Sequence, residues 1–429
     1  MRPTTLRAGT AAGAAAGTTA IALLLLAATP AAAGGPGGSG PPGRGGGTAV
    51  TTTADSGAGS LRAAVQAANA AGSGTVVLSD RVYRLALAGT DDTAAAGDLD
   101  VTGRLVVEGR GATIDAAGLD RVFDVRAGGS LTLRDVTVTG GRIAGTPGTT
   151  GGASGGGVLN AGTLVVEGST VTANSAVRAG GGIEALAGST TTVTRSTLSH
   201  NTTGAVPGNG GGLHLTGTGT VHVERTTVTG NTAASEGGGL WNSATGTMTV
   251  SRSTVSGNTA AGAAADNGGG GLFNDGGSLT VDRSEVRGNS ATGAAGSGGG
   301  LFTNAGSLTV TGTVVDRNDA RRAGGGIEAL GGTTTLDRTA LTGNSTGAAP
   351  GNGGGLHLTG AGTVRIDRGT VTGNSAANEG GGLWNSEPGT MTVTRTRISG
   401  NTAPAGPDVF QDGAGTGFTV DGQRVPGEA

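Results

Sequence analysis

The sequence predicts an all-β protein, a single-stranded right-handed parallel β-helix (solenoid) of about twelve coils with a short N-terminal capping helix. Three observations support this prediction: a repeat of 25 to 32 residues, a glycine triplet that opens each repeat, and an asparagine near its end. Each repeat holds only short alternating stretches, and such stretches become stable when like strands stack in parallel.

The composition narrows the class of protein. The chain has 429 residues, of which 93 are glycine and none is cysteine, and only 2% are aromatic. Glycine at this frequency without a three-residue period is not collagen. The absence of cysteine excludes disulfides and thiolate metal sites. A formal net charge of −3 gives no electrostatic reason to expect a nucleic acid as partner.

Residues 1–33 have the pattern of a secretory signal peptide. Arg2 and Arg7 supply the positive charge, residues 21–28 the apolar run, and residues 31–33 a cleavage site of small residues. The apolar run is shorter than the roughly 20 residues that a membrane-spanning helix needs. We therefore expect a secreted, extracellular protein with no membrane span in its mature form.

The next two segments lead into the repeats. Residues 34–47 are a linker rich in glycine and proline, with nothing apolar to bury. Residues 48–75 form the predicted N-terminal cap, in which Ser60 begins a helix with apolar residues spaced three and four apart. A cap is expected because the open end of a β-helix exposes unpaired backbone.

The β-helix is predicted to occupy residues 76–429. An apolar anchor follows each glycine triplet, at Val158, Ile183, Leu213, Leu240, Leu272, Leu301, Ile327, Leu356 and Leu383. Glycine at these corners suits a backbone with positive φ. The repeated asparagines are expected to form a ladder of amides, at Asn174, Asn201, Asn231, Asn258, Asn289, Asn318, Asn344, Asn374 and Asn401.

A block of five coils is duplicated within the repeats. Trp241 and Trp384, which lie in nearly identical stretches, are 143 residues apart. The two copies run from about 155 to 297 and from 298 to 413.

Two parts of the sequence resemble known families of bacterial proteins. Residues 51–70, with the stretch GSLRAA, resemble the CSLREA-type N-terminal segment of bacterial repeat proteins, with glycine in place of the cysteine. The GGG-[LIV] coils resemble polymorphic outer-membrane-protein repeats of the pectin-lyase-like superfamily. The resemblance implies the β-helix fold and leaves the activity open, since that superfamily includes lyases, hydrolases, epimerases, adhesins and passive scaffolds.

The residue after each anchor forms a second column, here called the outer column. Its candidate ligand-binding members are Glu184, His214, Trp241, Phe273, Phe302, Glu328, His357 and Trp384, and Leu159 and Phe410 extend it. Strand alternation directs this column outward when the anchors point inward. Its aromatic rings and acids then suit a polysaccharide. The alternative is a run of scattered surface residues, or of residues in contact with a covering loop.

Other candidate groups point less clearly to a site. A column of arginines, often preceded by an acid, indicates either a solvated corner of alternating charge or a site for anionic polysaccharide. Glu236 and Glu379 join Glu184 and Glu328 as carboxylates that a glycosidase would need in pairs. The four histidines are dispersed along the repeats and form no recognisable metal-binding motif, so no metal site or cofactor is expected. No catalytic residue is assigned.

The sequence therefore predicts a secreted, monomeric, non-catalytic scaffold or adhesin-like protein that binds polysaccharide or cell-surface glycan. The alternative is a polysaccharide lyase or glycoside hydrolase. The ligand and retention at the cell wall stay open.

Overall fold

The computed structural model describes residues 47–144, 152–205, 207–348 and 350–428. These residues form a parallel β-solenoid with one α-helix, so the predicted all-β fold is confirmed. The predicted signal peptide and all but the last residue of the predicted linker lie outside the described residues.

One face of the solenoid is a parallel sheet of 13 short strands, here called the anchor sheet because its first residues are the apolar anchors. Its strands are Leu99–Val101, Phe123–Val125, Val158–Asn160, Ile183–Ala185, Leu213–Leu215, Leu240–Asn242, Leu272–Asn274, Leu301–Asn304, Ile327–Leu330, Leu356–Thr359, Leu383–Asn385, Val409–Asp412 and Gly427–Glu428. The solenoid thus has about thirteen turns, one more than predicted, because turns without a glycine triplet also contribute strands.

Two further faces belong to one sheet of 25 strands, because two long strands run across the corner between them. The first strands are Thr48–Ala49, Ser73–Val77, Val82–Arg84, Arg104–Asp115 and Ser130–Thr139. The long-strand face continues with Thr163–Glu167, Ser189–Thr194, Gly219–Glu224, Gly246–Ser251, Ser278–Asp282, Ser307–Thr311, Thr333–Asp337, Thr363–Asp367, Thr390–Thr394 and Phe418–Val420. The short-strand face continues with Thr170–Thr172, Thr197–Ser199, Thr227–Thr229, Thr254–Ser256, Glu285–Arg287, Val314–Asp316, Ala340–Thr342, Thr370–Thr372 and Arg397–Ser399.

The sheet ends in a small hairpin. Gln423–Arg424 pairs antiparallel with Phe418–Val420, whereas the other strand pairs that the structure describes are parallel.

A third sheet was not expected from the sequence. Eight strands of two residues stack after the asparagine ladder. They are Arg142–Ile143, Ser175–Ala176, Thr202–Thr203, Thr232–Ala233, Thr259–Ala260, Ser290–Ala291, Asp319–Ala320 and Ser345–Thr346. Two residues are too few for their alternation to be visible in the sequence.

Like residues face each other from coil to coil, so the interior consists of apolar columns. Leu240 pairs with Leu272, and Val250 with Val281, and all four are fully buried. A buried valine or leucine side chain contributes about 1.5–3 kcal/mol. This repeated contribution offsets the cost of ordering a glycine-rich chain.

The predicted asparagine ladder is confirmed. The side chain of Asn258 donates from Nδ2 to Asn289 Oδ1 at 2.9 Å and to the carbonyl of Val228 at 3.0 Å. In turn its Oδ1 accepts hydrogen bonds from the backbone N–H and the Nδ2 of Asn231. The pattern continues along the ladder, so each buried amide is satisfied by its neighbours on adjacent coils.

The expected positive φ is found at the first glycine of each triplet, for example 61° at Gly237. A Cβ on Gly237 would lie 2.6 Å from the carbonyl oxygen of Leu240 and 2.9 Å from the Cβ of Trp241. The chain therefore folds back tightly on the anchor strand at this corner, and only glycine fits.

Helix α1, Leu61–Ala70, lies at the N-terminal end as predicted, with Ser60 as its N-cap. The guanidinium of Arg62 is only 2% exposed, pairs with Asp55 at 2.9 Å and donates to the carbonyl of Gly97 at 2.8 Å. The helix is thus tied to the loop that precedes the first anchor strand. No helix in the described ranges is long and apolar enough to cross a membrane.

Candidate functional site

The outer column is aligned as the sequence indicated. His214 pairs with Glu184 on one side and with Trp241 on the other, and Trp241 pairs in turn with Phe273. The same order recurs in the second copy, from Glu328 through His357, Trp384 and Phe410.

The expectation that the outer column is exposed is wrong. All eight candidate residues are buried, with exposed fractions of 0% for Glu184, 2% for His214, 8% for Trp241, 2% for Phe273, 1% for Phe302, 1% for Glu328, 3% for His357 and 8% for Trp384. Just before the glycine triplets, short segments pair from coil to coil, for example Ala179 with Asn209. Because the positive-φ glycine folds the chain back at once, these segments cover the strand that follows.

The aromatic members of the column form a continuous stack. Trp241, Phe273 and Phe302 are one hydrophobic cluster. Their rings are nearly parallel, with centroids 6.2 Å apart for Trp241 and Phe273 and 4.8 Å for Phe273 and Phe302. Trp241 and Phe302 stack on opposite sides of Phe273, so this part of the column is a second core rather than a platform for sugar rings.

Glu184 and His214 form a buried polar pair at the start of this stack. His214 Nδ1 lies 3.1 Å from Glu184 Oε1, and Thr216 Oγ1 donates to the same oxygen at 2.5 Å. Arg178 Nη1 is 3.7 Å from Glu184 Oε1. The carboxylate therefore finds its partners inside the protein.

The second copy reproduces this pair. Glu328 Oε1 lies 3.2 Å from His357 Nδ1 and 2.7 Å from Thr359 Oγ1, with Arg322 Nη1 at 3.7 Å. Two equal sites five coils apart indicate inheritance through the duplication.

The tryptophans are held by the other pair of glutamates. Trp241 Nε1 donates to Glu236 Oε2 at 3.0 Å, and Asn267 Nδ2 donates to Glu236 Oε1 at 2.8 Å. Burial raises the pKa of Glu236, against the opposing effect of these two hydrogen bonds. Trp384 and Glu379 repeat the contact at 2.9 Å. These glutamates fix the indoles and are not paired with each other.

A groove opens where the column reaches its N-terminal end. It measures about 1180 Å³, and its floor includes Asp124 and Leu159, which are paired members of the outer column. Its other described lining residues are Gly89, Thr90, Asp91, Asp92, Asp98, Gly118, Leu119, Asp120, Arg121, Arg126, Ala127, Arg142, Ile143, Ala144, Gly152, Ala161 and Leu186. The groove thus gives access to part of the column.

The floor of the groove contains a network of carboxylates and guanidiniums. Arg121 Nη1 donates to Asp98 Oδ2 at 2.9 Å and to Asp124 Oδ2 at 3.2 Å. Arg126 Nη1 donates to Asp124 Oδ2 at 3.0 Å and to Asp92 Oδ1 at 2.9 Å. Asp124 is thereby held between two arginines, while the Asp92 side chain is 72% exposed at the rim.

The carboxyl groups here differ in their tendency to ionise. Burial raises the pKa of Asp98 to about 8, although Arg121 opposes this effect. Burial also raises the pKa of Asp100, beneath the floor, to about 6. The pKa of Asp91 falls to about 2, because hydrogen bonds from Ala95, Thr93 and Ala96 outweigh its burial. Of these three carboxyl groups, Asp98 therefore keeps its proton to the highest pH and Asp91 loses it at the lowest.

The sequence interpretation missed this site. Asp100 and Asp124 follow the buried residues Leu99 and Phe123 and occupy the outer column, since Asp100 pairs with Asp124. Their turns lack the glycine triplet that marked the other coils. An alignment on the apolar anchor alone would have included them.

The arginine column lies at an exposed corner of alternating charge. Arg252 pairs with Glu224 at 2.8 Å and Arg368 with Asp337 at 2.8 Å, and these arginine side chains are 44% and 48% exposed. Ion pairs of this kind contribute little to stability. The φ of Arg252 is 49°, a left-handed backbone that recurs at the corner. Within the described ranges, no group of three or more histidine, aspartate or glutamate side chains could hold a metal ion.

The family model described as the right handed beta helix region matches residues 123–332. The fold is a right-handed β-helix. This match covers the turns from the groove to the start of the second copy. The described turns outside the matched range stack on the same β-helix in the same register.

The β-helix is also similar to solved structures. The A-modules of the mannuronan C-5 epimerases AlgE6 and AlgE4 of Azotobacter vinelandii are each 17% identical, with TM-scores of 0.47 and 0.49. They match 82% of this chain and 93% and 96% of their own. PfbA, a surface adhesin of Streptococcus pneumoniae, is 10% identical, with a TM-score of 0.31, over 85% of this chain and 90% of its own.

At these identities and TM-scores the likenesses carry no information about activity. No curated protein sequence matches the chain significantly.

Proposed function

We propose that this β-helix is a secreted, non-catalytic scaffold that binds polysaccharide or cell-surface glycan, and that the glycan lies in the groove at the first turns. The groove carries this proposal, because it is concave and combines apolar and hydrogen-bonding groups on a rigid sheet. The proposal of secretion depends on residues 1–33 alone.

The groove has the two kinds of surface that a sugar needs. Leu119, which is 49% exposed, offers apolar contact to the C–H face of a ring. Asp92 and Asp120 offer carboxylate oxygens, which accept hydrogen bonds from neighbouring hydroxyls. Arg121 and Arg126 hold the floor in place, so little conformational entropy is lost on binding.

Two exposed residues allow binding to be separated from folding. Asp92→Ala and Leu119→Ala remove side chains at the rim and should leave the melting temperature nearly unchanged. We expect each to weaken retardation in affinity electrophoresis at least fivefold, with the polysaccharides that retard the unaltered chain. Val314→Ala, which removes a 41% exposed side chain outside the groove lining, is the matched control.

The proposal is wrong if no polysaccharide of a broad panel retards the unaltered chain. It is equally wrong if retardation occurs but the three variants behave alike, since the glycan would then lie elsewhere.

A second candidate function is glycoside hydrolysis in the same groove. Asp98 and Asp124 share Arg121 Nη1, at 2.9 and 3.2 Å, so their facing oxygens are at most about 6 Å apart. Asp98, whose pKa burial raises to about 8, holds a proton at neutral pH, as a general acid requires. Asp124, held by two guanidiniums, would serve as the carboxylate partner.

Product analysis distinguishes the two functions. Incubation of the full chain with each bound polysaccharide should release neither reducing ends nor unsaturated products if the scaffold function is right. Release of reducing ends that Asp98→Asn abolishes, with binding retained, would establish the hydrolase instead. Unsaturated ends would indicate a lyase.

A further inference from the structure

The short-strand face carries a regular array of hydroxyl groups, here called the threonine face. It consists of two ranks on five successive strands. The ranks are Thr137, Thr170, Thr197, Thr227 and Thr254, and Thr139, Thr172, Ser199, Thr229 and Ser256. The residue between the two members of each strand is a fully buried valine or leucine, such as Val171 or Val228.

The array is held in strict register. Thr170 pairs with Thr137 and Thr197, and Thr227 pairs with Thr197 and Thr254. Hydroxyls therefore repeat at about 4.8 Å along the solenoid axis and about 6.6 Å along each strand. Some neighbours are linked within a rank, as Ser199 Oγ donates to Thr172 Oγ1 at 2.9 Å. The result is a rigid two-dimensional lattice of hydroxyls and methyls.

This lattice contains no charged and no aromatic side chain. The arginine column borders it at one corner, but none of its ten positions is ionisable. Thr227 is exposed, Ser199 is buried, and the other eight members are half-buried. An uncharged, regular surface of this kind is unsuited to an ionic ligand. The planar aromatic groups on which sugar rings stack are also absent from it.

The duplication shows that the array is not required by the fold. In the second copy the positions equivalent to Thr170 and Thr172 are Val314 and Asp316, and Thr254 is replaced by Arg397. Of these strands, only Thr227–Thr229 keeps threonine at both equivalent positions of the second copy, as Thr370 and Thr372. The same β-helix thus forms with and without the array.

We propose that the threonine face binds ice, that is, an ordered lattice of water. Each hydroxyl both donates and accepts a hydrogen bond, and each threonine methyl keeps disordered water away from the surface. Strand register fixes the backbone positions of all ten hydroxyl-bearing residues, and β-branched threonine side chains have few rotamers. Binding them to ordered water therefore costs little further entropy. This activity would be separate from the groove, which faces out from the anchor sheet.

The test uses the full chain and a matched pair of variants. Thr227→Tyr places a bulky ring on the fourth of the five strands of the array, while Thr370→Tyr places the same ring at the equivalent strand of the second copy. Both sites are on the protein surface, so both variants should fold, and their circular dichroism and melting temperatures confirm it.

We expect the unaltered chain to be enriched in a slowly growing ice phase and to slow ice recrystallisation. Thr370→Tyr should match it, and Thr227→Tyr should lose at least tenfold in both measurements. Exclusion of the unaltered chain from ice overturns the proposal, and so do equal effects of the two variants. Binding to crystalline cellulose or chitin that Thr227→Tyr abolishes, without enrichment in ice, would assign the face to a solid polysaccharide instead.

Discussion

The imidazole of His214 lies flat on the indole of Trp241, with ring centroids 4.2 Å apart and planes inclined by 15°. The second copy repeats the contact between His357 and Trp384 at 4.1 Å. Since these four side chains are at most 8% exposed, the stacks lie inside the protein. The column that the sequence suggested as a ligand platform is therefore a stabilising element.

Replacing the tryptophans tests this assignment directly. Trp241→Ala removes a buried indole, its stacking contacts and its hydrogen bond to Glu236, at an expected cost of about 3–5 kcal/mol in the free energy of unfolding. Trp384→Ala should cost a similar amount. Because the two sites are far apart, the costs should add in the double variant. Urea unfolding measures the loss. A double variant as stable as the unaltered chain would show that the two tryptophans are not buried, stabilising residues.

The asparagine ladder predicts a comparable sensitivity at Asn258. Asn258→Ala leaves the carbonyl of Val228 and the backbone N–H of Asn231 without their buried partners. We expect a loss of about 2–4 kcal/mol in the free energy of unfolding. Asn378→Ala, which removes a single hydrogen bond of a half-buried side chain, should cost less than about 1 kcal/mol. Equal effects of the two substitutions would show that the ladder does not stabilise the coil.

Asp98 predicts a pH dependence of stability that is unusual for a carboxyl group. Its pKa is about 8 in the folded protein, above the ordinary value of 3.8 that applies on unfolding. Between these values the folded state keeps a proton that the unfolded state has lost. The contribution of Asp98 to stability therefore decreases as pH rises from about 4 to 8.

Asp98→Asn should remove this contribution. We expect the variant to lose less stability than the unaltered chain between pH 4.5 and pH 8.5, as chemical unfolding at each pH would show. Asp367→Asn is the control, because Arg395 lowers the pKa of that exposed carboxyl and its titration falls below this interval. Parallel curves for Asp98→Asn and the unaltered chain would contradict the raised pKa.

Replacing Arg317 with glycine is expected to stabilise the folded protein. Its φ is 49°, whereas the equivalent positions of neighbouring coils hold Gly257, Gly288 and Gly343. A left-handed backbone costs a non-glycine residue about 1 kcal/mol. Its side chain is 80% exposed, so little contact is lost on substitution. Arg317→Gly should therefore raise the melting temperature by about 1 °C, since the unfolding entropy of a chain of this length is large.

The matched control for Arg317→Gly is Arg321→Gly. Arg321 is an exposed arginine without positive φ, and glycine there should lower stability slightly. A decrease in melting temperature for both variants would mean that the strain at Arg317 is negligible.

The sequence by itself determined the repeat, its phase and therefore the stacking of like residues. Leu240 above Leu272 and Asn258 above Asn289 follow from spacing alone, because parallel coils of constant phase bring equivalent positions together. The helix beginning after Ser60 follows from local capping and apolar spacing. These features depend on short segments of chain.

Only the tertiary structure decided what is exposed. Alternation directs Trp241 away from the inner core but does not reveal the segments that cover it, because their path depends on the turn at Gly237. The groove could not be predicted from the sequence either, because its residues come from loops and strands of different turns and meet only after folding. The raised pKa of Asp98 likewise results from burial among groups up to 26 residues away, which no local pattern of the sequence expresses.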